Sequence, residues 1–333
     1  MVGGALLACI GHAGMLWCHH HRIGRGYLVG LTVAVFGMNC CYACYTALLP
    51  DFVPPSSMGQ ASGVMASMTL LGSFIGFALF GFYFDVVHAY ALYCAAILGT
   101  VLITCCAARE KVIKSAPPIL CSELVAAYSI DAVAYPDFFW VFVTRTFYYM
   151  GLSIQAFVLF MLRDVQKVSD PKYYTSMLAM VGQLAALLVA VPTGRLSDHL
   201  GRKPLVFASC AVMAVVYIGF ALSPNINMVI VLTIGWGMGN GMFLSVDYAL
   251  ACDVLPSLEH AAQSLGVWGV SAFLGSTLGP LIAGPLLTHF GSTTATDQYS
   301  TPGYVAVMLL GAVYVICAGL MLRTVRERVR APG

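Results

Sequence analysis

Long apolar runs separated by short polar breaks repeat along the whole chain. They fall near residues 2–18, 27–49, 60–82, 88–107, 138–162, 173–193, 205–222, 226–250, 261–287 and 303–322. A hydrocarbon core about 30 Å thick needs roughly 20 apolar residues to cross as a helix, and most of these runs come close to that length. The pattern therefore predicts an all-α, polytopic membrane protein with about ten transmembrane helices. Residues 2–18 carry no basic residue ahead of them, so they read as a span and not as a secretory signal. The longest polar connection, 108–137, contains Arg109, Glu110, Lys111, Lys114, Pro117 and Pro118. It divides the chain into a four-span N-terminal bundle, 1–107, and a six-span C-terminal bundle, 138–323, with a basic tail at 324–333. Within the linker, 119–134 is moderately apolar but interrupted by Glu123 and Asp131, which suits a short surface helix better than a span.

Composition narrows this picture. Of 333 residues, 60% are hydrophobic and 9% charged, against roughly 25% charged in soluble domains; the lipid bilayer is the expected solvent. A net charge of +2 without a basic, aromatic-interleaved patch argues against a nucleic-acid partner. The Lys and Arg of the connections favour cytoplasmic termini, with ten on the inside under that orientation and five outside; the plasma membrane is the default location. Most of the twelve cysteines sit in apolar runs as small, soft hydrophobes. Cys9, Cys40, Cys41 and Cys44 match no metal module, and the tract His19, His20 and His21 is followed by Arg22 and Arg25 with no carboxylate near. Neither metal nor cofactor is expected, and no clustered nucleophile and base suggests an enzyme.

One polar break is unusually structured. Residues 194–204 read G-R-L-S-D-H-L-G-R-K-P between two apolar runs. Gly194 and Gly201 suit a reversing backbone where helix ends approach closely. Asp198 is placed to accept hydrogen bonds from Arg202 or from N–H groups at a nearby helix start, while Arg202 and Lys203 border the membrane. The string G-x-L-S-D-x-x-G-R-K resembles the loop signature of the major facilitator superfamily of secondary transporters.

An internal repeat accompanies it. Ala47-Leu48-x-x-Asp51-x-x-Pro54 returns as Ala249-Leu250-x-x-Asp253-x-x-Pro256, 202 positions later. After one inserted residue the match continues, with Gly63-Val64 facing Gly266-Val267 and Leu71-Gly72-Ser73-x-x-Gly76 facing Leu274-Gly275-Ser276-x-x-Gly279. Parallel repeats of this kind build secondary transporters. Asp51 and Asp253 occupy equivalent places just beyond their helices, so Asp253 is expected to latch the Asp198 loop through Arg202. The loop's own first-half partner would fall before residue 1. The resemblance implies a six-plus-six arrangement, of which this chain matches family helices three to twelve.

Charges and polar groups inside the runs supply the remaining candidates. Arg145 lies deep in its run, where an unpaired charge costs roughly 2.5–3.5 kcal/mol. Asp247 is its expected partner, and the pair is a candidate inward gate; the plainer reading is a static ion pair. Asn39, Tyr42 and Tyr45 in the first bundle, with Tyr149, Gln155, Gln183 and Asn240 in the second, are candidates to line a solute cavity, although many such residues only bond helix to helix. Gly72, Gly76, Gly275 and Gly279 have spacing for close helix packing. Gly76 is followed by Phe77, so the family's antiporter Gly-Pro pair is absent.

The strings Y-T-A-L-L-P-D-F-V-P-P, R-T-F-Y-Y-M-G leading to F-M-L-R-D-V, and V-D-Y-A-L-A-C-D-V-L-P-S resemble a group related to the sugar-cation symporter branch. That resemblance implies alternating access around a midplane site, coupling to a proton or sodium ion, and a sugar or other small polar organic solute. The alternative is a truncated, non-transporting family member or a membrane partner protein.

Overall fold

The computed structural model describes residues 1–82, 86–108, 129–223, 225–257, 261–293 and 298–326. Ten helical segments among them are long and apolar enough to cross a membrane. In chain order the helices are α1 (Val2–His20), α2 (Gly24–Phe52), α3 (Met58–Phe82), α4 (Val86–Ala107), α5 (Pro136–Ser153), α6 (Val158–Asp164), α7 (Pro171–Leu200), α8 (Lys203–Leu222), α9 (Ile226–Asp253), α10 (Ala261–Gly291) and α11 (Thr301–Leu322). Helices α5 and α6 form a single span, interrupted by a 3₁₀ turn at Ile154–Phe157. Most of the linker, 109–128, lies outside the described residues, and with it most of the proposed surface helix; 129–134 has no helix. Residues 327–333 of the basic tail also lie outside.

Local chemistry sets the helix ends. Asp170 caps α7 by accepting from the backbone N–H groups of Lys172 and Tyr173, and Asn225 caps α9 by accepting from that of Met228. Proline stands in the first turn of α5, α7, α8 and α11, where its missing N–H costs nothing. Gly201, at φ 89°, stops α7 in a backbone conformation that other residues rarely adopt. Pro192 in α7 and Pro280 and Pro285 in α10 are carried inside helices, as membrane spans tolerate.

The chain falls into two compact units. The first holds α1, α2 and α4, with Ala5 and Ala8 of α1 packed against Ile97 of α4. The second comprises 53–81, carrying α3, together with 129–333. Helix α9 is its centre: more than half of its span is buried, and it packs on α7 and α8 while α10 and α11 pack on α5. Helix α3 joins this unit along one face of α7, where Ala66 and Leu70 meet Ala186 and Ala190.

Candidate functional site

Two polar constellations interrupt the apolar packing of the second unit. The first lies at the α7–α8 turn. Asp198, near the end of α7, accepts from the backbone N–H of Gly59 through Oδ1 and from that of Gln60 through Oδ2, each at 2.9 Å. These are unpaired donors of the first turn of α3, where the helix dipole also favours an anion. Arg202 Nη1 stands 2.8 Å from Asp198 Oδ1 and donates to Ser197 Oγ at 2.8 Å, while its Nε reaches Asp253 Oδ2 at 3.3 Å. Arg202 is buried, so two carboxylates and a hydroxyl replace the water it has lost.

Small residues allow this approach. A Cβ on Gly194 would stand 2.5 Å from the Gly59 carbonyl oxygen and 2.9 Å from Gly63 Cα; one on Gly63 would stand 2.9 Å from the Ala190 carbonyl oxygen. Backbone atoms cannot step aside, so α3 and α7 touch through Gly59 and Gly63 on one side and Ala186, Ala190 and Gly194 on the other. Both rows have four-residue spacing, the small-residue geometry of close membrane helices. Lys203 turns to the opposite side, donating from Nζ to the Val325 carbonyl oxygen at 2.6 Å, and Asp137 Oδ1 accepts from the Arg326 N–H at 2.8 Å. Asp51, the repeat equivalent of Asp253, is exposed at the end of α2 and has no ion-pair partner among the described residues.

The second constellation is intramembrane. Arg145 of α5 and Asp247 of α9 are each 4% exposed, and Arg145 Nε lies 3.0 Å from Asp247 Oδ2. The guanidinium carbon sits 3.2 Å from the centroid of the Trp268 ring on α10; Nη1 donates to the Trp268 carbonyl oxygen at 3.1 Å, and Nη2 to Tyr149 Oη at 3.4 Å. A cation on an indole face, paired with a carboxylate, is a low-cost way to hold charge in an apolar medium. One turn or two along α9, Phe243 stacks on Tyr148 and Asn240 Oδ1 lies 3.5 Å from Tyr148 Oη.

The other cavity candidates are spread out. Asn39 donates to the Val35 carbonyl oxygen of its own helix, Tyr42 is exposed and Tyr45 half-buried, all on α2. Gln183 lies on α7 with its Oε1 buried and without a hydrogen bond among the described residues. Gln155 lies on the 3₁₀ turn and lines a pocket beside Tyr217 and Trp236. Gly275 and Gly279 pack on α5, within 3.0 Å of Met150 backbone atoms when given a Cβ, whereas Gly72 faces open space.

The structure adds residues that the sequence reading did not single out. Trp268 is one, and Gly59 with Ser197 are others; the Gly59-x-x-x-Gly63 spacing was the available signal. A further one is Asp164 at the far end of α6, whose side chain is fully buried. It accepts from Arg163 Nε and Tyr304 Oη at 2.6 Å each and from the Tyr299 N–H at 3.1 Å, which ties α6 to the start of α11.

The sequence model of the Major Facilitator Superfamily matches residues 141–333. The MFS-type transporter YfkL of Bacillus subtilis is 34% identical over 149 residues, 44% of this chain and 35% of that protein. A triacylglyceride transporter of Mycolicibacterium smegmatis is 34% identical over 132 residues, 39% of this chain and 23% of that protein. These alignments thus span about a third or less of the relatives' lengths. Among solved structures, the human organic anion transporter MFSD10 superposes with a TM-score of 0.78 at 13% identity, over 96% of this chain and 76% of that one.

Proposed function

Because the chain belongs to the Major Facilitator Superfamily, whose sequence model covers more than half of it, we propose that it moves a small organic solute across a membrane by alternating access between two helix bundles. The superfamily is one of transporters and not of enzymes. A proton or sodium gradient is the proposed driving force, and sugars or other polar organic solutes head the solute list. The proposed orientation puts both termini and the α7–α8 turn in the cytoplasm.

The observation that carries this reading is the double grip of Asp198 on the first turn of α3. It is a latch by its chemistry. The glycine face beneath it gives close contact without long interlocking side chains, and the carboxylate at its rim makes bonds that water can replace when the helices part. Arg202 and Asp253 hold Asp198 in place whether or not α3 is docked, since both come from the α7–α9 side. Docked, the latch closes the end of the bundle that carries the turn; released, it opens that end. The buried pair Arg145–Asp247 is a second candidate gate, since it joins α5 to α9 through charge while the Trp268 ring of α10 faces the guanidinium.

Uptake by the full native protein in proteoliposomes tests the proposal, with labelled monosaccharides, organic anions and short-chain amides offered under imposed proton and sodium gradients. Accumulation that needs a gradient, is abolished by collapsing it, and falls in Asp198→Ala supports transport. Equal solute entry with and without a gradient, and with and without Asp198, favours the alternative role as a membrane partner.

A further inference from the structure

A pocket of about 70 Å³ opens inside the second unit where the α5–α6 span breaks, and no part of the latch or of the ion pair reaches it. Gln155 and Val158 line it from the broken span, Leu178 and Ala179 from α7, and Tyr217 and Trp236 from α8 and α9. The pocket is wired to the break. Tyr217 Oη donates to the Gly151 carbonyl oxygen at 2.6 Å, in the last turn of α5, and accepts from Trp236 Nε1 at 3.3 Å. A 3₁₀ stretch within a span is where helices commonly hinge or bind ligands.

The wall chemistry selects the occupant. Thr175 Oγ1 donates to the Pro171 carbonyl oxygen at 2.7 Å and Thr233 Oγ1 to that of Val229 at 2.8 Å, so both hydroxyl protons are spent within their own helices. The Tyr217 and Trp236 donors are committed to the break. Gln155 is exposed, and its amide has no partner among the described residues. The lining therefore offers apolar surface, two threonine oxygens that can still accept, and at Gln155 an amide that can both donate and accept. A dry apolar cavity of ~150 Å³ holds benzene, so this volume takes roughly three carbons, with the rest of a ligand outside.

We propose that this pocket is a binding subsite for the short apolar end of an amphiphilic organic solute that carries one amide- or hydroxyl-type group placed to meet Gln155. The solute's presence bears directly on the α5–α6 break, because Tyr217 and Trp236 form both the pocket wall and the brace on Gly151. A sugar lacks the apolar end that this wall takes, so the subsite serves the other organic solutes of the proposed range. That the occupant is a transported solute rests on the proposed transport function; the binding site itself does not.

The test reads binding without any gradient. Full-length protein labelled with 5-fluorotryptophan in nanodiscs is titrated with N-butylacetamide and, separately, with n-pentane, and ¹⁹F resonances are followed; a Trp236→Phe variant assigns the reporter. The expected result is a saturable shift at Trp236 with none at exposed Trp17, lost in Ala179→Leu, which fills the space. Gln155→Leu, at an exposed position that leaves folding intact, is expected to weaken amide binding about five- to tenfold, the worth of one hydrogen bond, and to leave pentane binding unchanged. A linear shift shared by Trp17 and Trp236 means bulk partitioning and overturns the proposal. So does pentane binding as tightly as the amide, which marks a site for lipid chain ends, and so does indifference to Gln155→Leu. Absent binding overturns the pocket alone; binding without gradient-driven uptake overturns the transport reading alone.

Discussion

Arg145 carries its charge at 4% exposure, compensated by the Asp247 carboxylate, the Trp268 carbonyl and ring, and the Tyr149 hydroxyl. Removing one partner of a buried pair strands the other and typically costs about 3–5 kcal/mol, while removing both charges costs far less. Asp247→Asn is therefore expected to lower the detergent melting temperature more than Arg145→Gln, Asp247→Asn together. If the pair also gates, the double variant is stable but loses uptake; if it keeps full uptake, the pair is structural. Asp198→Asn removes a charge-assisted contact with α3 and Arg202 while keeping the side chain's shape. Hydrogen bonds to charged groups contribute about 1.5–3 kcal/mol, so the α3–α7 contact is expected to weaken by roughly ten- to a hundredfold in its equilibrium.

At the scale of helices, the α3–α7 face depends on what is missing from its side chains. Gly63→Val places methyls against the Ala190 carbonyl and Gly194 Cα and is expected to undock α3. Gly72→Val points into open space and is expected to leave docking unchanged; cysteine cross-linking between the two helices distinguishes them. The number and type of helices were legible in the sequence, because apolar length and bilayer thickness leave little choice. Arg145 and Asp247 were legible as a pair because a charge in a span needs a partner. That Asp198 would accept from a helix start was readable from its charged string, although the structure makes 194–200 the last turns of α7 and not a loop; which helix start was not readable, since Gly59 lies 139 residues away. Trp268 was invisible for the same reason, its contact with Arg145 being set by how α10 packs on α5. The break at Ile154–Phe157 has neither proline nor glycine to announce it; Tyr217, from another helix, takes the Gly151 carbonyl there. Asn39 was singled out as a polar residue within a span, but its amide donates to its own helix, a pairing that polarity alone does not distinguish from a cavity.

For the whole molecule, the proposed transport cycle requires that α3 both dock on and leave α7 at the α7–α8 turn. Spin labels at Gln60→Cys and Arg195→Cys, both exposed positions flanking the latch, report this distance in protein freed of its native cysteines and reconstituted in nanodiscs. Electron–electron double resonance is predicted to show two populations, a short one with the latch engaged and a longer one with it released, and Asp198→Asn is predicted to shift the balance toward the longer. A single short population, unmoved by Asp198→Asn in protein that still transports, would contradict the latch.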